Sequence, residues 1–262
     1  MDAAAAEQVG ARTGLSKALG GYSAYGWKGR IGLVTPSTNT TLEPEFARMA
    51  PDGVSVHASR VYQAGRQEPS SYRRMADDIE TAARLLATAE VDVIAFGCTS
   101  CTYFVSPDEV RETMAREAGC PTVLTADAVV AALRELGVRR VSLLGPRTEF
   151  VTLREVEFLE SQGFEVVAHA CLGLGENEEE RRGIGRVPPE AIYRLARDGN
   201  RPEAEALFVS CTQLPVVGMI GELEELFGKP VISSNQATLW RCLRTMGVAD
   251  RRPGFGTLLA DH

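Results

Sequence analysis

Eight short runs dense in Val, Ile and Leu interrupt a more polar chain, at 30–35, 54–61, 91–97, 121–125, 140–145, 164–170, 206–210 and 230–234. Their length and β-branched content predict strands. Between several of them the apolar residues fall at helical spacing instead: Met75, Ile79, Ala82 and Leu86; Val129, Ala132, Leu133 and Leu136; Leu239, Leu243 and Met246. Strands that alternate with helices pair in parallel, because a helical crossover returns the chain to the same end of the sheet. The pattern predicts an α/β fold.

The two halves of the chain repeat one another. The run from Ile31 to Thr38 (IGLVTPST) aligns with Val141 to Thr148 (VSLLGPRT) at an offset of 110. Val93 to Thr99 aligns with Ala206 to Thr212 at 113, and Pro121 to Gly137 with Pro230 to Gly247 at 109 to 110. Matches in the same order predict two similar lobes, each with a four-stranded parallel sheet flanked by helices, related by a pseudo-two-fold axis across a cleft. Residues 28–122 with 233–262 form one expected lobe, 123–232 the other, and 1–27 a loose N-terminal arm.

In parallel sheets ligands bind beyond the carboxyl ends of the strands, so the loops at 35–41, 97–102, 145–148, 210–213 and 233–238 are expected to line the cleft. Their Ser, Thr and Asn residues cap helices and leave backbone N–H groups for an anion.

Two of these loops carry matched chemistry. Cys98 and Cys211 occupy equivalent positions, each after an apolar strand and each followed by a threonine, Thr99 and Thr212. A lone strand-end cysteine is most simply a small buried hydrophobe. Packing gives no reason for both repeats to keep Cys-Thr at the mouth of a cleft. The repeat instead sets two sulfurs on opposite sides of one ligand, one as base or nucleophile and the other as acid, each favoured as thiolate by a helix N-terminus. Cys120, Cys171 and Cys242 lack such a setting and are expected in the core.

Cys98 to Cys101 also spell C-x-x-C, the spacing of a redox pair or of half a zinc site. A second C-x-x-C is missing and the histidines are only His57, His169 and His262, so no metal is expected. A redox role leaves Cys211 unexplained. Asn39 fits both a helix cap and a donor to a substrate carboxylate. Arg60, Arg66 and Arg147 stand at the expected cleft edge, Arg147 best placed by the repeat, for pairing with a carboxylate. The acidic run Glu176 to Glu180, followed by Arg181 and Arg182, is expected to be a solvated loop.

Composition narrows the function. The chain has 262 residues, of which 44% are hydrophobic and 24% charged, as in a globular protein of enzyme size. Its 28 basic against 35 acidic residues leave a net charge of -7, which argues against nucleic acid and requires that any anion site be built from local donors. No apolar run approaches the length of a membrane span. Asp2, Glu7, Arg12 and Lys17 break up any secretory core near the start, and six cysteines are too sparse for a disulfide scaffold, so a cytoplasmic protein is expected. Fingerprints for dinucleotides, the P-loop, zinc proteases and the serine nucleophile elbow are missing.

Five runs carry a resemblance: Arg30 to Glu43 (RIGLVTPSTNTTLE), His57 to Arg60 (HASR), Gly97 to Ser100 (GCTS), Ser210 to Pro215 (SCTQLP) and Pro230 to Ala237 (PVISSNQA). On these residues the chain resembles the aspartate/glutamate racemase superfamily, most closely the branch of maleate cis-trans isomerases and arylmalonate decarboxylases. The resemblance implies cofactor-free chemistry on a small carboxylate between Cys98 and Cys211. In isomerases of this type the first thiolate adds to a double bond beside a carboxylate and the second thiol manages a proton on the adjacent carbon. Asn39 would then hold a carboxylate, and Asn177 matches a substrate-contacting asparagine. Thr99, Ser100 and Thr212 join them from the motif loops as substrate contacts. Relatives are often homo-oligomers.

Similar decarboxylases carry Gly in place of Cys98, whereas racemases use both thiols. Arg147 stands where maleate isomerases tend to have Tyr, and Cys101 where many relatives have a small residue. The expectation is a two-cysteine isomerase, with maleate the first substrate to test. An amino-acid or hydantoin racemase, an arylmalonate-type decarboxylase, and a redox or binding protein using Cys98 and Cys101 are the alternatives.

Overall fold

The computed structural model describes residues 23–262. Most of the expected N-terminal arm therefore lies outside the described residues.

The first sheet is built from β1 (Gly29–Pro36), β2 (Val54–Val61), β3 (Val93–Phe96) and β4 (Thr122–Leu124), in the order β2-β1-β3-β4 with every neighbour parallel. Between them run α1 (Leu42–Met49), α2 (Pro69–Asp77), α3 (Ile79–Ala87) and α4 (Pro107–Ala118), and α5 (Thr125–Glu135) follows β4. The second sheet repeats the order as β6-β5-β7-β8, from β5 (Arg140–Arg147), β6 (Glu165–Leu174), β7 (Ala206–Val209) and β8 (Val231–Ser233), again all parallel. Its helices are α6 (Glu149–Ser161), α7 (Glu178–Gly183), α8 (Pro189–Gly199), α9 (Ile220–Phe227) and α10 (Ser234–Thr245), and α11 (Thr257–Asp261) closes the chain.

All eight strands lie where the apolar runs predict them. The inner strands β3 and β7 are buried throughout, while the edge strands β2 and β6 are half-buried. That difference is why the inner runs read as continuous apolar segments. β5 continues past Pro146 to Arg147, which pairs with Leu174 after a register shift that the apolar pattern does not encode.

Helix ends follow local chemistry. Ser106 accepts from the N–H of Glu109 ahead of Pro107, and Gly119 in the left-handed conformation (φ 62°) ends α4. Ser233 and Gln236 form a capping box at the start of α10.

One apolar core runs through both sheets. It joins Ile31 and Leu33 of the first to Leu143 and Phe208 of the second through Val129, Leu133, Leu239 and Leu243. Thr238 of α10 donates to Thr125 of α5 at 3.0 Å, tying together the helices that follow the last strand of each half. A second cluster, with Met75, Ile79, Leu86 and Met114, covers the other face of the first sheet. Among the described residues no helix is long and apolar enough to cross a membrane.

Candidate active site

The two cysteines leave the two sheets at the same step. The N–H of Gly97 bonds to Val34 O at 2.8 Å, and that of Ser210 to Leu144 O at 2.7 Å, each just past the last paired residue of an inner strand. Gly97 is demanded by space, since a Cβ there would lie 2.2 Å from Leu42 Cδ2 and 3.3 Å from the carbonyl of Val34. Cys211 has φ 94°, a left-handed conformation that costs a non-glycine residue about 1–3 kcal/mol. Its N–H is held by Ser234 Oγ at 3.0 Å, and Ser234 Oγ also pairs with Thr99 Oγ1 at 3.0 Å.

Further bonds close the junction. Asn39 Nδ2 donates to Thr212 Oγ1 at 3.0 Å, and that hydroxyl donates to Gly97 O at 3.0 Å. Asn39 Oδ1 meanwhile accepts from the N–H groups of Thr41 and Leu42 at the start of α1. Asn39 is thus the expected cap, and its amide N–H bridges to the second half. Thr41 adds a bond to Gln213 O at 2.8 Å. Cys98, Thr99, Ser100, Cys211, Thr212 and Asn39 are all buried in this one region.

The expected helix N-termini are not what the structure puts behind the thiols. Only the three-residue 3-10 turn Cys101–Tyr103 follows Cys98, and the first α-helix after Cys211 begins at Ile220. Burial pushes the Cys98 thiol up; the Arg147 guanidinium and the N–H groups of Cys101 and Ser100 pull it down, while nearby Cys211 adds to the rise. Single N–H groups and one cation therefore take the place of a macrodipole.

Arg147 ends β5 and is only 6% exposed. Its Nη2 donates to Cys211 Sγ at 3.4 Å and its Nη1 to the Tyr72 hydroxyl at 3.4 Å, while Nε has no partner. Burial alone would weaken its hold on the proton. The ionisable groups around it, Cys211, Tyr72, Cys98 and Glu155, outweigh that and raise it. A buried cation among two thiols and a phenol is a site for negative charge.

Cys101, by contrast, is held well above the ordinary thiol range by burial and by Cys98, and its Sγ meets the carbonyl of Tyr72 at 3.7 Å. Among the described residues no cluster of three or more Cys, His, Asp or Glu side chains is arranged to hold a metal ion.

Several expected residues lie elsewhere. Arg60 donates to the carbonyls of Ser37 and Asn39 and pairs with Glu43, bracing the β1 loop from outside. Arg66 pairs with Glu176 at 2.9 Å on the surface. Asn177 is exposed, caps α7 by accepting from the N–H of Glu180, and gives its amide to Glu180 Oε1 at 2.7 Å. The acidic run is therefore a helix start, not a loop, and Arg181 within it is 1% exposed. Of the cysteines expected in the core only Cys242 is buried; Cys120 and Cys171 are half-buried, and Cys171 on edge strand β6 donates to Glu149 at 3.3 Å.

The sequence reading also missed groups that the fold brings in. Tyr72 stacks on Phe104 at 4.7 Å. Glu155, 3% exposed, accepts from Ser210 Oγ at 2.7 Å and from the Tyr103 hydroxyl at 2.9 Å, directly behind Cys211; burial raises its carboxyl. In the sequence Tyr72 reads as one face of an amphipathic helix. Glu155 reads as an ordinary helix charge, although it interrupts the apolar side of α6.

A model of the family described as arylmalonate decarboxylase matches residues 31–259. The maleate isomerase of Nocardia farcinica is 30% identical over 243 residues, covering 88% of this chain and 95% of that one. A solved structure of the maleate isomerase from Pseudomonas putida S16, an alanine variant with maleate, has a TM-score of 0.81 at 26% identity and covers 88% of this chain and 97% of that one. A cysteine-to-serine mutant of the Nocardia farcinica maleate cis-trans isomerase with a covalently bound succinylcysteine intermediate has the same TM-score at 26% identity, covering 89% of this chain and 98% of that one.

Proposed function

This chain belongs to the arylmalonate decarboxylase family, and from that membership and its paired thiols we propose a cofactor-independent isomerase that converts maleate or a close cis diacid to the trans form. The observation that carries it is the meeting of Cys98 and Cys211 at equivalent strand ends beside the buried guanidinium of Arg147.

Cys98, as thiolate, forms a C–S bond to one alkene carbon. The electron pair of the double bond moves to the adjacent carbon, where the carboxylate stabilises it, and the thiol of Cys211 delivers a proton there. The former double bond, now single, rotates. Cys211 takes a proton back, the C–S bond breaks, and the trans alkene leaves with Cys98 again a thiolate. Arg147 offsets negative charge at each stage, because its Nη2 is already directed at Cys211 Sγ. The succinylcysteine of the Nocardia farcinica protein is an adduct of this kind. Asn39, Thr99, Ser100 and Thr212 are assigned to the substrate carboxylates, and Asn177 joins them only with a shift of α7. Retention of Cys98 sets the reading apart from decarboxylation. The reading also takes the enzyme as a cytoplasmic homo-oligomer.

Proton NMR of maleate and related diacids incubated with the protein in deuterated water tests it. Fumarate is expected, with turnover falling by about a thousandfold or more in both Cys98→Ser and Cys211→Ser. Exchange of an alpha hydrogen without cis-trans conversion would select racemisation, and release of carbon dioxide would select decarboxylation.

A further inference from the structure

We propose that Gln67 determines specificity by donating its side-chain amide to the substrate carboxylate remote from the carbon that Cys98 attacks. The inference rests on the isomerase reading above and adds a residue to it.

Gln67 is 7% exposed, yet neither Nε2 nor Oε1 has a partner. A buried primary amide left wholly unpaired costs free energy that a ligand can recover. The amide is not an accident of a loose loop. The backbone N–H of Gln67 reaches Gly175 O at 3.3 Å, so residue 67 bridges the segment after β2 to the segment after β6. Gly175 also makes room for the side chain, since a Cβ there would lie 2.5 Å from Gln67 Cδ.

Buried Arg181 fixes the same loop from beneath. It donates to Gly65 O at 2.9 Å, to Gln63 O at 3.4 Å and to Thr38 Oγ1 at 3.4 Å, anchoring the loop over the end of β1. Gln67 lines a cavity of about 330 Å³ whose wall includes Thr148, the residue after Arg147. Gly175 follows Leu174, the strand partner of Arg147, so Gln67 stands next to the end of β5 that carries the guanidinium, on a support that holds its position.

The chemistry fits a second carboxylate. One end of a diacid meets the Arg147 region, and the other needs donors. A neutral amide supplies two N–H groups without burying a second cation.

The test compares wild type with Gln67→Leu, which keeps most of the volume, and Gln67→Glu, which keeps the shape but replaces donors with a charge that repels a carboxylate. KM and kcat are measured on maleate, and binding of the unreactive diacid succinate is followed by thermal shift. Gln67→Leu is expected to raise KM by about tenfold or more with kcat little changed, and to lose the succinate shift. Its ligand-free Tm should stay level or rise, because an unpaired buried amide has been replaced by an apolar group. Gln67→Glu should raise KM further. Unchanged KM and succinate binding in Gln67→Leu would overturn the proposal, as would a lower ligand-free Tm with kcat falling at constant KM. If wild type converts no diacid yet binds succinate, and Gln67→Leu abolishes that binding, the isomerase reading falls while the role of Gln67 stands. Failure of wild type to bind any dicarboxylate overturns this one.

Discussion

Arg147 Nη2 lies 3.4 Å from Cys211 Sγ, while Nη1 of the same guanidinium lies 3.4 Å from the Tyr72 hydroxyl. A single buried cation therefore touches one of the paired sulfurs and pulls the pKa of the other, Cys98, down against the effect of burial. Replacing it with an uncharged donor separates its charge from its shape. Arg147→Gln is expected to lower kcat/KM on the order of a hundredfold. It should also move the alkylation of Cys98 to higher pH, because a group that favours the thiolate has gone. Iodoacetamide labelling of Cys98 followed by mass spectrometry across pH reads this directly, and an unchanged profile would sink the idea.

Cys211 carries the site's backbone strain at φ 94°. Cys211→Ala and Cys211→Gly both lack the thiol and should both be inactive, but only glycine accepts that φ freely. In urea denaturation Cys211→Gly should therefore be more stable than Cys211→Ala by about 1 kcal/mol. Equal stabilities would mean that the strain is not there.

Glu45 on α1 accepts from Asn235 Nδ2 at 2.5 Å and from the N–H of Val217 at 3.0 Å. Burial pushes its carboxyl from 4.5 up to about 7, against those bonds and nearby Arg48. The folded protein thus holds this proton more tightly than the unfolded chain. Its contribution to stability is complete below about 4.5 and is lost as pH rises through about 7. Glu45→Gln should flatten the dependence of the denaturation midpoint on pH across that window. The wild-type slope persisting in the variant would exclude Glu45 as its source. Asn235 Nδ2 also holds the carbonyl of Thr212 at 3.0 Å, so the same titration bears on the Cys211 loop.

Arg181 holds two carbonyls of the loop after β2. Arg181→Met leaves them without a buried donor and is expected to cost about 2 kcal/mol and to raise KM. Limited proteolysis should then cut between residues 62 and 68 faster than in wild type, and an unchanged cutting rate would show the loop to be held by other contacts.

The sequence made the strands and the two thiols visible for different reasons. Strand runs such as Val93 to Phe96 are buried on both faces, so their apolar character is continuous and needs no partner to be seen. Cys98 and Cys211 stood out because duplication repeats a position as well as a residue. Asn39 was legible as a cap for the same local reason, since Thr41 and Leu42 lie within three residues of it.

Arg181 misled because charge runs are usually solvated, and only the arrival of Gly65 and Gln63 above it makes a buried arginine tolerable. Tyr72, Glu155 and Gln67 carry no mark that separates them from ordinary helix or loop residues. Asn177 was marked only by the resemblance, and in the structure its amide is taken by Glu180 three residues on.

By itself the sequence determined what depends on near neighbours and on repetition: strand positions, helix caps, the doubled plan and the paired cysteines. The tertiary structure decided where the long polar side chains end. Arg147, Arg181 and Gln67 are set by contacts with Tyr72, Gly65 and Gly175, each more than 70 positions away in the chain. Apolar periodicity is written along a segment, whereas the partner of a buried charge or amide exists only once distant segments have packed.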